Sequence, residues 1–218
     1  MYERPSFLQV LGKVLKIWWI VVLCVSVAYD SIKDLSWMKA YANIDWSLLG
    51  LEAIGIVFVL LLAFGIYRIH PGIMGFGLVR VIKSLIGNKP KRNDDETPEM
   101  EGGNIGLMVT DIKYVGIVVC LLLLTGLPRW AAVEEELFRQ GTIDWWDGIV
   151  RSLAFGFAHM LVGVPVAGAI TISIVGMFFT YMYFMGGVDL STQAHFQYNL
   201  ILVSLLLFGA IGKSFARD

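Results

Sequence analysis

Cysteine is nearly absent from this chain: only Cys24 and Cys120 occur in 218 residues. Both sit inside apolar runs, so neither a disulfide framework nor a cysteine-based metal site is expected, and both read as buried hydrophobes. Charge is scarce as well, at 16% against about 25% in ordinary soluble domains. The net charge of -1 comes without any basic stripe interleaved with aromatics, which argues against nucleic acid as a partner. No segment alternates as a lipid-facing barrel strand would, no fixed-period repeat is visible, and there is no H-E-x-x-H.

What fills the chain instead is apolar sequence, 57% of all residues. This composition predicts an all-α, polytopic integral membrane helical bundle with about six transmembrane helices, and membrane lipid as its first partner. Ile17 to Tyr29 follows Lys13 and Lys16, as in a signal sequence, but Asp30 comes without a small-residue cleavage site, so a retained helix is expected. Ser31 to Ser47 mixes charges with Trp37, Tyr41 and Trp46 and is expected to lie along the membrane surface. Leu48 to Tyr67 carries one acid, Glu52, over a length sufficient to cross.

Prolines mark the expected breaks. His70-Pro71-Gly72 reads as a helix end, with a structural histidine. Asn88 to Asn104, with two prolines, two glycines and eight charged residues, reads as a solvated linker. Basic residues from Arg68 to Arg92 mark a cytoplasmic side, shared with the N-terminus. The chain is thereby divided into residues 1–104, N-terminal membrane helices plus charged linker, and residues 105–218, a four-helix core. In the second part, Val115 to Leu127 stops at Pro128 and must recruit residues on one side or the other to cross. Ile149 to Gly163, Val164 to Val188 and Leu200 to Gly212 form further runs, with Pro165 separating the first two.

Three groups of polar residues interrupt this apolar background. In Glu134-Glu135-Glu136-Leu137-Phe138-Arg139, helical spacing pairs Glu135 with Arg139, acid first, and turns Glu134 about 100° away to face elsewhere. The plainer reading is that acids following Pro128 cap a helix start. Phe155 and His159 share one helical face, as do His195 and Asn199 at the entrance to the last run. Each histidine read alone is a core residue bonded to a carbonyl or a neighbouring helix. Together the three groups supply a carboxylate, an imidazole and a donor pair, the components needed to activate water and to stabilise the oxyanion formed when it attacks a peptide carbonyl.

These residues resemble the EExxxR, FxxxH and HxxxN motifs of the CPBP intramembrane proteases, which include the CAAX prenyl endopeptidase and bacterial proteins linked to bacteriocin processing and immunity. The resemblance covers residues from Ile105 onward. It implies that Glu134 and His159 activate the catalytic water, that His195 and Asn199 form the oxyanion site, and that Glu135, Arg139 and Phe155 complete the motifs. It also implies a hydrophobic or lipid-anchored peptide or protein substrate and no metal or other cofactor, while the small chain with its short N-terminal part suggests a prokaryotic plasma membrane. Gln140 stands where the pattern has glycine, with Gly141 one place late, and Glu136 is expected to face solvent or the interface. Two rival readings remain: Glu134, His159 and His195 as a two-His, one-carboxylate metal set, and a non-proteolytic immunity or regulatory protein using the same cavity to bind a peptide or partner helix.

Overall fold

The computed structural model describes residues 7–69, 115–162 and 164–215. Among them all regular structure is helical. Six α-helices follow in order: α1 (Phe7–Lys33), α2 (Ser36–Ala42), α3 (Trp46–Ile69), α4 (Val115–Phe138), α5 (Trp145–Ala158) and α6 (Val166–Phe215), with a 3-10 turn at His159–Val162 between the last two. Three are long and apolar enough to cross a membrane: α3, α4 from Gly116 onward, and α6 as far as Gly212. The expected linker, the His70-Pro71-Gly72 helix end and the boundary between residues 104 and 105 lie outside the described residues.

Residues 166–215, termed α6, are two helical arms that meet at a kink, where Gly186 and Gly187 leave helical geometry and φ reaches +73° at Gly187; the separate runs expected over 164–188 and 200–212 fall largely on its first arm and wholly on its second. The 149–163 run is divided between α5 and the 3-10 turn; α5 has 14 residues, about 21 Å of rise against a hydrocarbon core of about 30 Å. The surface-lying stretch appears as α2, which buries no residue. Pro165 does precede the start of α6, where its missing N–H costs no helical bond.

At Pro128 the apolar run ends but the helix does not: α4 continues through the proline to Phe138, recruiting the residues after it, one of the two sides from which the run was expected to be completed. Proline leaves the carbonyl four residues earlier without its helical donor, and here that carbonyl, Leu124 O, accepts a hydrogen bond from the Tyr41 hydroxyl at 2.9 Å. A donor borrowed from the α2 region keeps the helix intact. The triple acid therefore lies in the last turn and a half of a helix, where the dipole disfavours carboxylates, and the helix-start explanation for it falls.

Packing places α1 and α2 against α4, α3 against α6, and α6 against both α4 and α5. The α5–α6 contact is close because α5 buries Gly148, Ser152, Phe155 and Gly156 on one face, and small residues let helix backbones approach. Ser152 Oγ and Thr180 Oγ1 share a buried hydrogen bond of 3.1 Å across it. A Cβ on Gly156 would overlap Ser173 Oγ and Ala169 O and come 2.6 Å from Ser173 N. Gly156→Ala is accordingly expected to destabilise the fold by about 1 to 3 kcal/mol, seen as a lowered Tm in detergent. Gly209→Ala, with nothing within 4 Å of its Cβ, leaves the Tm unchanged or raises it slightly; equal behaviour of the two variants contradicts this packing.

The start of α3 is clasped onto α6 by a glutamine. Gln197, fully buried, accepts from Asp45 N at 2.8 Å and donates to Asp45 O at 2.9 Å, while Gln193 donates to Asn43 O at 3.1 Å. Two residues of one α6 turn thus replace backbone partners that the short α2–α3 connection lacks.

Candidate functional site

The site is assembled where the C-terminal end of α4 meets the bend-distal arm of α6. Glu135 and Arg139 are both fully buried and form an ion pair, Nε to Oε2 at 3.6 Å. The Arg139 guanidinium lies 4.5 Å from the centroid of the Phe155 ring and 5.9 Å from that of Phe179, and its Nη2 donates to Gly176 O at 3.2 Å. A buried cation is costly unless compensated. Here a carboxylate, a backbone carbonyl and two ring faces share that task. Gly176 makes this approach close: a Cβ there would come 3.0 Å from Arg139 Nη2 and 3.2 Å from the Phe155 ring.

Arg139 follows directly after α4, and the backbone turns away two residues later at Gly141, with φ +79°. The glycine missing at position 140 is thus supplied one place on, where the left-handed conformation is needed. Gly141 N donates to the Tyr183 hydroxyl at 3.1 Å. In the next turn Asp144 caps α5 through Asp147 N at 2.8 Å, and the Arg151 side chain bonded to Asp147 holds that carboxyl below its ordinary range.

His195 stands between the two acids. Its Nδ1 is 2.8 Å from Glu135 Oε1, and its Nε2 is 3.2 Å from Glu134 Oε2. Glu134 therefore does not face away from Glu135, as helical wheel geometry suggested; both carboxylates reach one imidazole inserted between their side chains. The contact at Nδ1 has hydrogen-bond geometry, whereas the one at Nε2 is a close approach of the ring nitrogen to the carboxylate. The Phe179 ring stacks on the imidazole at 4.5 Å and 20°, and Phe155 meets it edge-on at 5.4 Å and 90°. Ring orientation is thereby fixed on three sides.

Glu134 differs from its neighbours in access: its side chain is 18% exposed, against 2% or less for His195, Glu135 and Arg139. Its second oxygen, Oε1, accepts from the Trp130 indole N–H at 2.6 Å. Trp130 and Phe179 are site residues that the motifs did not indicate. Trp130 lies one turn before Glu134, and a buried indole N–H needs an acceptor; that spacing was the available signal. Glu136 is exposed.

His159 closes α5. Its Nδ1 is 2.8 Å from Phe155 O, and the two rings of that pair are 4.8 Å apart. A carbonyl only accepts, so Nδ1 carries a proton, and Nε2 is the nitrogen left to accept or donate. Among the described residues His159 forms no ion pair with Glu134; Phe155, in ring contact with both histidines, links it to the cluster. Asn199 is half-buried one turn beyond His195 and its side chain makes no hydrogen bond among the described residues. The geometry thus brings Glu134, Glu135, Arg139, Phe155 and His195 into mutual contact and leaves His159 and Asn199 beside them with free polar atoms. No group of three or more His, Cys, Asp or Glu arranged to hold a metal ion occurs among the described residues. No family model, curated protein or solved structure matches this chain.

Proposed function

We propose that this chain is an integral membrane endopeptidase of the CPBP type, a polytopic bundle in a prokaryotic plasma membrane that hydrolyses a hydrophobic or lipid-anchored peptide or protein. The observation that carries the reading is the partly exposed Glu134 carboxylate beside an imidazole that a second, buried carboxylate orients. Such a group beside an apolar helix is costly, and a carboxylate within reach of an imidazole is suited to taking a proton from water.

In this reading water attacks the peptide carbonyl carbon while Glu134, with His159 Nε2 on the other side, takes its proton. The oxyanion that forms is met by His195 Nε2 and the Asn199 amide. The contact of Nε2 with Glu134 is the longer of the two that His195 makes, and it is the one a substrate oxygen displaces; the shorter one to Glu135 keeps the ring in place. Collapse of the intermediate breaks the C–N bond, the leaving amine receives the proton, and the products are a carboxylate and an amine. Glu135 and Arg139 hold the frame.

Trp130→Phe keeps a ring of similar bulk and removes the N–H that steadies Glu134 Oε1. It is expected to lower the cleavage rate about tenfold, the worth of one hydrogen bond to a charged group, with little change in Tm; an unchanged rate rejects a role for that bond. Because the reading draws on no metal, exhaustive chelation of the purified protein should leave cleavage intact and added zinc should not raise it. Loss on chelation with recovery on zinc would support instead the metal set of Glu134, His159 and His195. Hydrolysis itself is tested by substitution of Glu134.

A further inference from the structure

One buried acid has no place in that scheme. Glu52, near the start of α3, is 3% exposed, and both of its carboxyl oxygens are enclosed without a hydrogen-bond partner among the described residues. A buried polar group left in this state is costly in either of its forms and calls for a partner. Its surroundings are specific. Leu48 and Val59 lie on the same stripe of α3 as Glu52 and pack, with Phe138 and Tyr198, against the Phe155–Val175–Phe179–Ala194 cluster that frames His195. Tyr198 belongs to the same packed group as this stripe of α3. Tyr198 is three residues from His195 on α6, about one helical turn.

We propose that Glu52 is the seat for a cationic side chain, a lysine ammonium or an arginine guanidinium, carried into the membrane by a helical peptide segment. The class of ligand follows from the surroundings. An enclosed carboxyl with no partner among the described residues favours a positive charge. A single carboxylate beside a tyrosine and an aromatic cluster suits an organic cation rather than a metal ion, since ring faces attract such groups. The depth favours a peptide over a lipid headgroup: Glu52 comes six residues after Trp46, about 9 Å along the helix axis from the start of α3.

Access follows from how lightly α3 is held. It buries only Glu52 and Ile56, presents Leu51, Ile54, Val57, Phe58, Leu61 and Phe64 outward, and is fixed polar-to-polar only at its first residues by the Gln197 clasp. Among the described residues no ion pair or hydrogen bond joins α3 to α6 beyond that clasp, so an incoming helix can part this seam along its length. The inference rests on the hydrolase reading only in identifying that helix as the substrate; it then specifies a substrate helix that carries a basic residue.

Binding tests it without requiring cleavage. The full-length protein in phosphatidylcholine nanodiscs is titrated with a single-span model peptide carrying one central lysine, and with the same peptide carrying norleucine. Wild type is expected to bind the lysine peptide about tenfold or more tightly than its norleucine twin. Glu52→Gln, which preserves shape, removes the difference; Glu52→Asp, which preserves charge, keeps a preference for lysine. Glu134→Gln keeps it too, because that carboxylate belongs to the hydrolytic group. Equal binding by wild type, or a lysine preference that survives in Glu52→Gln or disappears in Glu134→Gln, overturns the proposal. So does loss of the preference when phosphatidylethanolamine is added, which assigns the seat to a lipid amine. Whether Glu134→Gln still cleaves bears on the hydrolase reading alone.

Discussion

Glu134→Gln in purified, folded protein is expected to lower peptide cleavage by about 10²- to 10⁴-fold, the usual contribution of a positioned acid–base group, with little loss of stability. Glutamine has the same shape and still accepts from the Trp130 N–H at its oxygen. It cannot take a proton from water. The side chain is also partly exposed, so no buried charge is stranded by the change. His159→Ala should act in the same direction, since Nε2 is the free nitrogen of a ring held through Nδ1 by Phe155 O. If both variants fold and both cleave at the wild-type rate, the assignment of Glu134 and His159 fails, and the same cluster is better read as the binding site of a non-hydrolytic membrane protein.

Arg139→Ala should have the opposite profile, a loss of the fold before a loss of chemistry. Removing the guanidinium leaves Glu135 with no buried cation opposite and opens space against Phe155 and Gly176. Breaking one partner of a buried pair costs about 3 to 5 kcal/mol, a large share of the whole stability of a small domain. The sharper test is the double variant Arg139→Met with Glu135→Gln. Removing both charges together should restore much of the lost Tm while leaving cleavage low, because His195 loses the carboxylate that orients it. A double variant as unstable as Arg139→Ala alone would show that Glu135 is not what the arginine compensates.

Local spacing made part of this arrangement legible. The i, i+4 relations of Glu135 with Arg139 and of Phe155 with His159 are properties of a helix, and they appear in the structure as an ion pair and as a ring contact. The start of α6 after Pro165 was readable for the same reason. What the sequence did not disclose depends on partners far along the chain. Spacing left open on which side of the 115–127 run the helix is completed; it runs on past Pro128, and the carbonyl that the proline leaves without a helical donor is met by the Tyr41 hydroxyl, 83 residues earlier. Glu134 reads as turned away from Glu135, and only the insertion of His195, 60 residues later, brings both acids to one ring. Glu52 was visible as a single acid in an apolar run, but no pattern of one helix says which of its faces another helix will cover.

The most direct measurement is a single-turnover cleavage of a membrane-anchored hydrophobic peptide by the purified protein in ¹⁸O-labelled water, with the products weighed by mass spectrometry. Attack by a water activated at Glu134 puts one ¹⁸O into the new carboxylate in the first turnover, and the Glu134→Gln protein yields no product. Unlabelled carboxylate in that first turnover, or the same products at the same rate from Glu134→Gln, would contradict the account.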